Sequence, residues 1–253
     1  MSNASSLGRT NRSMARSCLA LALLAGPAAL AAGLGHRFGW WGFETGFAIL
    51  RWAAYGGFGV VVISLFPLGL SIYLRAWRNL ILAALALAIG AATLGVPLSY
   101  AQKARRFPPI HDITTDVENP PPFIAVLPLR AEAPNTAFYE GNRLAALQQK
   151  AYPDLGPVNY RLPPSQVFTR VAELAEELGW NIVTSLPEQG WLEATETSFW
   201  FGFTDDIVVR VGWRPEGSVV DIRSASREGV NDLGVNAARI QRFIDRLVAG
   251  SRQ

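Results

Sequence analysis

Cysteine and histidine are almost missing from this chain. Its 253 residues include one Cys, Cys18, and two His, His36 and His111. No disulfide can close within the chain. The C-terminal half holds His111 alone and no thiol, which excludes a zinc site built on His and Cys, a Cys nucleophile and a c-type haem attachment there. A Ser–His–Asp triad would have to use His111, just past the last apolar run and beside prolines. Negative charge is missing as well, from the first hundred residues. They carry seven Arg and one Glu, for +6, whereas residues 101–253 carry sixteen Lys/Arg and nineteen Asp/Glu, for −3. The basic total therefore belongs to the apolar half. The mildly acidic remainder shows no Lys/Arg stripe with interleaved aromatics, so nucleic acid is not an expected partner.

What fills the first hundred positions is apolar. Residues 1–16, with Arg9, Arg12 and Arg16, predict a disordered cytoplasmic lead. Residues 17–100 predict three membrane spans: Ser17–Gly35, Trp52–Leu74 and Leu80–Tyr100, each free of charge and long enough to cross hydrocarbon. Ala29-Leu30-Ala31 also suits a signal peptidase, so a cleaved signal competes with a retained first helix. His36–Arg51, with Trp40, Trp41 and Phe43, is expected as an aromatic loop at the interface. Small residues at four-residue spacing, Ala84, Ala88 and Ala92 and likewise Ala25, Ala29 and Gly33, are candidates for close helix contact. No ionisable residue lies mid-span, which argues against an ion or proton pathway. Five cations fall on each side of the spans. Glu44 offsets one group, and the short Arg75–Arg78 turn with the Arg-rich N-terminus favours those segments as cytoplasmic. The C-terminal half is then expected outside the cytoplasm of an inner-membrane, multi-pass protein, with the bilayer as its first partner.

Residues 101–139, with Pro108-Pro109 and Pro120-Pro121-Pro122, predict a stiff linker that holds a domain off the bilayer. Residues 140–253 predict that domain. A short helix falls near 140–152 and a stronger one over 164–178, where Val167, Phe168, Val171 and Leu174 repeat at helical spacing. Strands follow at 180–186 and 191–199, and a hairpin runs from Asp205 to Arg227. A last helix starting near Asp232 carries Leu233, Ala237, Ile240, Ile244, Leu247 and Val248 on one stripe, with Arg239, Arg242 and Arg246 expected towards solvent. The class is α+β: a four-stranded antiparallel sheet covered by helices on one face, the other face open.

The hairpin carries most of the information. Ile207, Val209, Val211 and Trp213 alternate on one face, as do Val220 and Ile222 on the return. Arg214-Pro-Glu-Gly217 has turn chemistry. With Trp213 opposite Ser218, Arg210 falls opposite Asp221 and Arg223 one diagonal step from Asp206. The wording Asp205-Asp206-Ile-Val-Val-Arg210, Val220-Asp221-Ile-Arg223-Ser-Ala-Ser226-Arg227 and Asp232-Leu-Gly234-Val-Asn236-Ala-Ala-Arg239-Ile240 resembles the uncharacterised bacterial and plastid family of domain of unknown function 1499. The resemblance covers about the last half of the chain. It implies an envelope or membrane-associated domain and supplies no activity, so no catalytic residue is carried over.

Four candidate sites follow. Asp206, Arg210, Asp221 and Arg223 on the open face are either cross-strand pairs on a solvated sheet or a recognition surface for a partner or an anionic ligand. Ser226 and Arg227, running into a helix N-terminus, are a possible anion site that Asp232 weakens by capping the same amides. Glu196, Asp205, Asp206 and Asp221 are candidate acid–base groups or hard-metal ligands without a known metal spacing. Phe199–Phe203 is either core or an aromatic contact with bilayer or partner. These signals favour a membrane-anchored periplasmic binding or interaction module with no cofactor, no metal and no catalytic residue assigned. The alternatives are an envelope enzyme acting on a lipid or cell-wall substrate through carboxylates on the open face, and a subunit of a larger membrane complex.

Overall fold

The computed structural model describes residues 2–250 and divides the chain into two compact units. One comprises the residues up to Gln102 together with Phe199–Gly202; the other comprises Lys103–Ser198 and the chain from Phe203 onward.

The first unit is built on α1 (Ser2–Arg37), α2 (Phe43–Tyr73) and α3 (Trp77–Arg106). All three are long and apolar enough to cross a membrane. The expected disordered lead is instead the start of α1. Asn11, Ala15, Cys18 and Ala22 are all buried, so one inward row continues through the lead. The Asn11 amide donates to Ser71 Oγ at 2.9 Å and ties those turns to the end of α2. The aromatic loop is shorter than expected, because α2 already starts at Phe43, with Glu44 in its first turn, where a carboxylate suits the helix dipole. On α3 the packed row is Asn79, Ala83, Ala86, Gly90 and Thr93, whereas Ala84, Ala88 and Ala92 are exposed. Glycine decides that row: a Cβ on Gly57 would stand 2.9 Å from the Gly90 carbonyl oxygen. On α1 the expected Ala29 and Gly33 are buried.

Phe199–Gly202 belongs to this helical unit. Trp200 Nε1 donates to the Leu30 carbonyl at 3.0 Å and Arg37 to the Phe199 carbonyl at 2.7 Å. Phe201 packs on Phe47 with ring centres 5.1 Å apart. Gly33 makes the room, since a Cβ there would meet the Trp200 ring at 2.5 Å. Of the aromatics in this segment, Phe201 is buried, Trp200 half-buried and Phe199 exposed.

The second unit contains β1 (Asp112–Thr114), α4 (Asn142–Ala151), β2 (Val158–Tyr160), α5 (Pro164–Glu177), β3 (Asn181–Leu186), β4 (Trp191–Thr197), β5 (Thr204–Arg214), β6 (Gly217–Ser226) and α6 (Val235–Gly250). The four predicted strands form the antiparallel meander β3-β4-β5-β6. The sheet nevertheless has six strands, because the three-residue β1 and β2 both pair with the far edge of β6. Three residues are too few to show a period, which is why they read as loop. The hairpin register is the expected one, with Trp213 opposite Ser218 and Arg210 opposite Asp221. Trp213 itself is 73 % exposed: the hairpin tip runs past the core, so the alternation there no longer marks burial.

Residues from α5 (Val167, Phe168, Val171, Leu174) and α6 (Ile240, Phe243, Leu247) pack on Leu192, Ile207, Val209, Val220 and Ile222. Trp180 stacks on Phe243 at 5.3 Å. The opposite sheet face is not open. The stretch read as a spacer folds over it, with Phe123 and Val126 packed on Val208 and Ala225. A proline-rich chain suits that role, since its extended backbone needs no ladder partner and still delivers apolar side chains.

Candidate functional site

Strand alternation sends the adjacent Asp205 and Asp206 to opposite sheet faces, and each anchors a separate polar network. On the face under the proline-rich stretch, Asp206 is fully buried and bound by two guanidiniums. Arg130 donates at 2.6 Å, and Arg227 donates from Nε and a terminal nitrogen, the closer contact being 2.7 Å. Arg223 lies a diagonal step from Asp206, as expected, but turns to Asp112 with two parallel bonds of 2.9 and 2.7 Å. Its remaining donors reach the Pro121 and Ala137 carbonyls, and its guanidinium lies 4.5 Å from the centre of the Phe123 ring. Arg210 takes Asp221 at 2.8 Å, as the register predicts, and also Asp116 at 2.9 Å. Asp206, Asp221 and Arg223 are therefore interior groups at 0, 3 and 2 % exposure, where an open charged surface was expected. Arg210 and Arg227 keep partial access to solvent.

Glu193 lies on this face as well. It is fully buried with no guanidinium on it. Its oxygens accept from the backbone N–H groups of Ile124, Ala125 and Val126 at 2.9–3.1 Å, and from Trp191 Nε1 at 2.8 Å. Three successive amides converging on one carboxylate form an anion nest that an internal side chain already fills.

On the helix-covered face Arg239 of α6 is the hub. It donates to Asp205 at 2.7 Å, to Glu196, to the Ser224 hydroxyl and to the side-chain amide oxygen of Asn236. Besides this local bond to Arg239, Asn236 joins α6 to distant chain. Its Nδ2 donates to Ser226 Oγ at 2.9 Å and to the His111 carbonyl at 3.0 Å. Asp232 caps α6 as expected, accepting from the amides of Gly234 and Asn236 at 2.9 and 2.8 Å. Burial pushes its carboxyl above the ordinary value, Asp205 adds to the rise, and those N–H bonds act against it. Gly234 lies against Phe107, where a Cβ would approach the ring to 2.6 Å.

The expected anion site at Ser226 and Arg227 thus has its parts already engaged: Ser226 by Asn236, Arg227 by Asp206, and the helix amides by Asp232. The four candidate acid–base groups do not converge either. Glu196 and Asp205 share Arg239 on one face, while Asp206 and Asp221 sit on the other with different arginines. Among the described residues no group of three or more His, Cys, Asp or Glu is placed to hold a metal ion.

Sequence reasoning missed Asp112, Asp116, Arg130 and Glu193, and it set Arg239 towards solvent, whereas Asp205 and Glu196 draw that side chain into the interior. The first three lie in the stretch read as spacer, where isolated charges among prolines were the available signal. Glu193 stands between the buried Leu192 and Ala194, so alternation alone assigns it to the Val208 face.

Three membrane-competent helices joined to a mixed α+β domain with both sheet faces covered define a membrane-anchored module. Residues 112–247 match the family model described as Protein of unknown function (DUF1499), and the chain belongs to that family. The match starts at Asp112, so it takes in the proline-rich cover as well as the sheet. No curated protein and no solved structure matches the chain.

Proposed function

We propose that the chain is an inner-membrane protein of the bacterial envelope that carries its DUF1499 domain outside the cytoplasm as an interaction module. The observation behind this reading is internal neutralisation. Each candidate arginine and carboxylate of the domain is bound to another group of the same domain, so a small anionic ligand would have to displace Asp206, Asp221 or Asp232 from partners already in place. A protein partner meets the outer surface instead, where Phe138, Trp213 and Val230 are 81, 73 and 74 % exposed. Placement outside the cytoplasm is supported by Arg9, Arg12, Arg16, Arg75 and Arg78, which gather at the end of the helices away from the start of α2.

The test has two arms. Alkaline phosphatase fused after Gln253 is expected to be active; activity only of a cytosolic reporter at that position overturns the placement. A photo-crosslinking residue at Phe138 or Trp213 is expected to give discrete adducts in whole cells. Monomer alone at both positions overturns the interaction role.

A further inference from the structure

Five arginines gather at one end of the helical unit. The Asn11–Ser71 bond sets the early turns of α1 beside the last turns of α2. Arg9, Arg12 and Arg16 follow one another at three- and four-residue steps, which places them on one stripe of α1. That stripe is exposed, opposite the buried row of Asn11, Ala15 and Cys18. Arg75 lies in the turn between α2 and α3, Arg78 lies in the first turn of α3, and both are exposed too. The flanking Tyr73 and Trp77, at 81 and 72 % exposure, are of the amphipathic aromatic type that concentrates at headgroup depth. Arg16 stands at the edge of the charge-free run 17–35, and α1 at 36 residues is about 54 Å long against a hydrocarbon layer of about 30 Å. The extra turns carrying Arg9 and Arg12 therefore lie among headgroups rather than in oil.

None of these five guanidiniums has a carboxylate partner among the described residues, and nearby chain offers none. Glu44 is the only carboxylate in residues 1–111, and it stands at the start of α2, nearly the whole helix away from Arg75. Five arginines on the sheet of the folded domain and on its cover behave differently: Arg130, Arg210, Arg223, Arg227 and Arg239 are each closed by an acid. Cations at headgroup depth without internal acids take their counter-charge from the phosphates of the leaflet, and the planar guanidinium fork matches a phosphate. We propose that this end of the helical unit binds anionic phospholipid headgroups, with Arg9, Arg12, Arg16, Arg75 and Arg78 as the phosphate donors.

The experiment uses the full chain, delipidated in neutral detergent and offered phosphatidylglycerol and phosphatidylcholine in equal amounts, with bound lipids counted by native mass spectrometry. A preference for phosphatidylglycerol on the order of tenfold is expected, and about 0.5 M salt should weaken it. The variant R9Q/R12Q/R16Q/R75Q/R78Q is expected to bind both lipids about equally, while R51Q/R105Q/R106Q keeps the preference. Equal binding by the unmodified protein, or the same loss in both variants, overturns the proposal. So does loss of the preference to inorganic phosphate at an ionic strength where chloride leaves it intact, which would mark a site for the free ion. The salt arm needs no variant, so misfolding of the fivefold substitution leaves the idea testable. Lipid selection in detergent does not depend on which side the C-terminal domain occupies, so this result and the reporter result fail separately.

Discussion

At the scale of single residues, the domain is specified by buried charges that have exchanged water for one another. Two ions brought into the interior roughly break even only when their geometry is good; removing one partner strands the other. Asp206 is the most exposed to this logic, because two guanidiniums close on it. Asp206→Ala is expected to cost about 3–5 kcal/mol by thermal or denaturant unfolding, whereas Arg170→Ala, which removes a solvent-facing pair with Glu177, should cost less than about 1 kcal/mol. Equal effects would mean that the interior pairs contribute no more than surface ones. Asp232 gives the pH test. Folding raises its pKa above the ordinary 3.8, chiefly through burial. The folded state therefore holds this proton more tightly than the unfolded state. The stability it contributes is present below the unfolded value and is lost as pH rises through the folded one. Asp232→Asn keeps a side-chain oxygen for the cap and removes the titration. Its melting temperature relative to the unmodified protein should rise as pH increases above about 4; a difference that stays flat with pH would show that folding leaves the Asp232 titration unchanged.

At the scale of elements, regular structure was legible and its cover was not. Alternation through Ile207, Val209 and Val211 with Pro-Glu at the turn was enough to place Arg210 opposite Asp221. The same alternation made Asp206, Arg210, Asp221 and Arg223 look solvated, because a charged face on a strand reads as a wet face. What reversed this is a proline-rich segment with neither period, whose contribution is a few long-range bonds: Arg130 to Asp206, Asp112 to Arg223, and the amides of residues 124–126 to Glu193. No local pattern encodes those bonds. They make a specific demand on exchange measurements. The amides of Ile124, Ala125 and Val126 lie mostly outside regular structure yet should exchange on the order of a hundredfold more slowly than open coil. Glu193→Gln turns an amide NH2 donor towards them or leaves a single neutral acceptor, so their protection should fall while that of β5 persists. If protection at 124–126 survives the substitution, the nest is not what holds the cover.

At the scale of the whole chain, the segment Phe199–Gly202 departs from sequence order: it lies between β4 and β5, yet it packs with the helical unit. Its base is closed by the Ser198 amide on the Phe203 carbonyl at 2.8 Å, so the four residues leave the sheet and return as a short excursion. Phe201 owes its burial to Phe47 and to the room at Gly33 and Gly46, and Trp200 spends its indole N–H on the Leu30 carbonyl. A chain starting at Lys103 keeps the apolar core of α5, α6 and the sheet, none of which comes from the first hundred residues. It loses Leu30 and Tyr100, which Trp200 touches, and His36 and Phe47, which Phe201 touches. The expected outcome is a folded fragment, with the circular dichroism of an α+β domain, that self-associates through this aromatic excursion. Trp200→Ser with Phe201→Ser in the same fragment should return it to a monomer by light scattering without moving its melting temperature by more than about 2–4 °C, the shift that about 1 kcal/mol produces in a domain of this size. A fragment already monomeric with both aromatics in place would mean that they find cover within the domain itself, and that the helices are not what buries them.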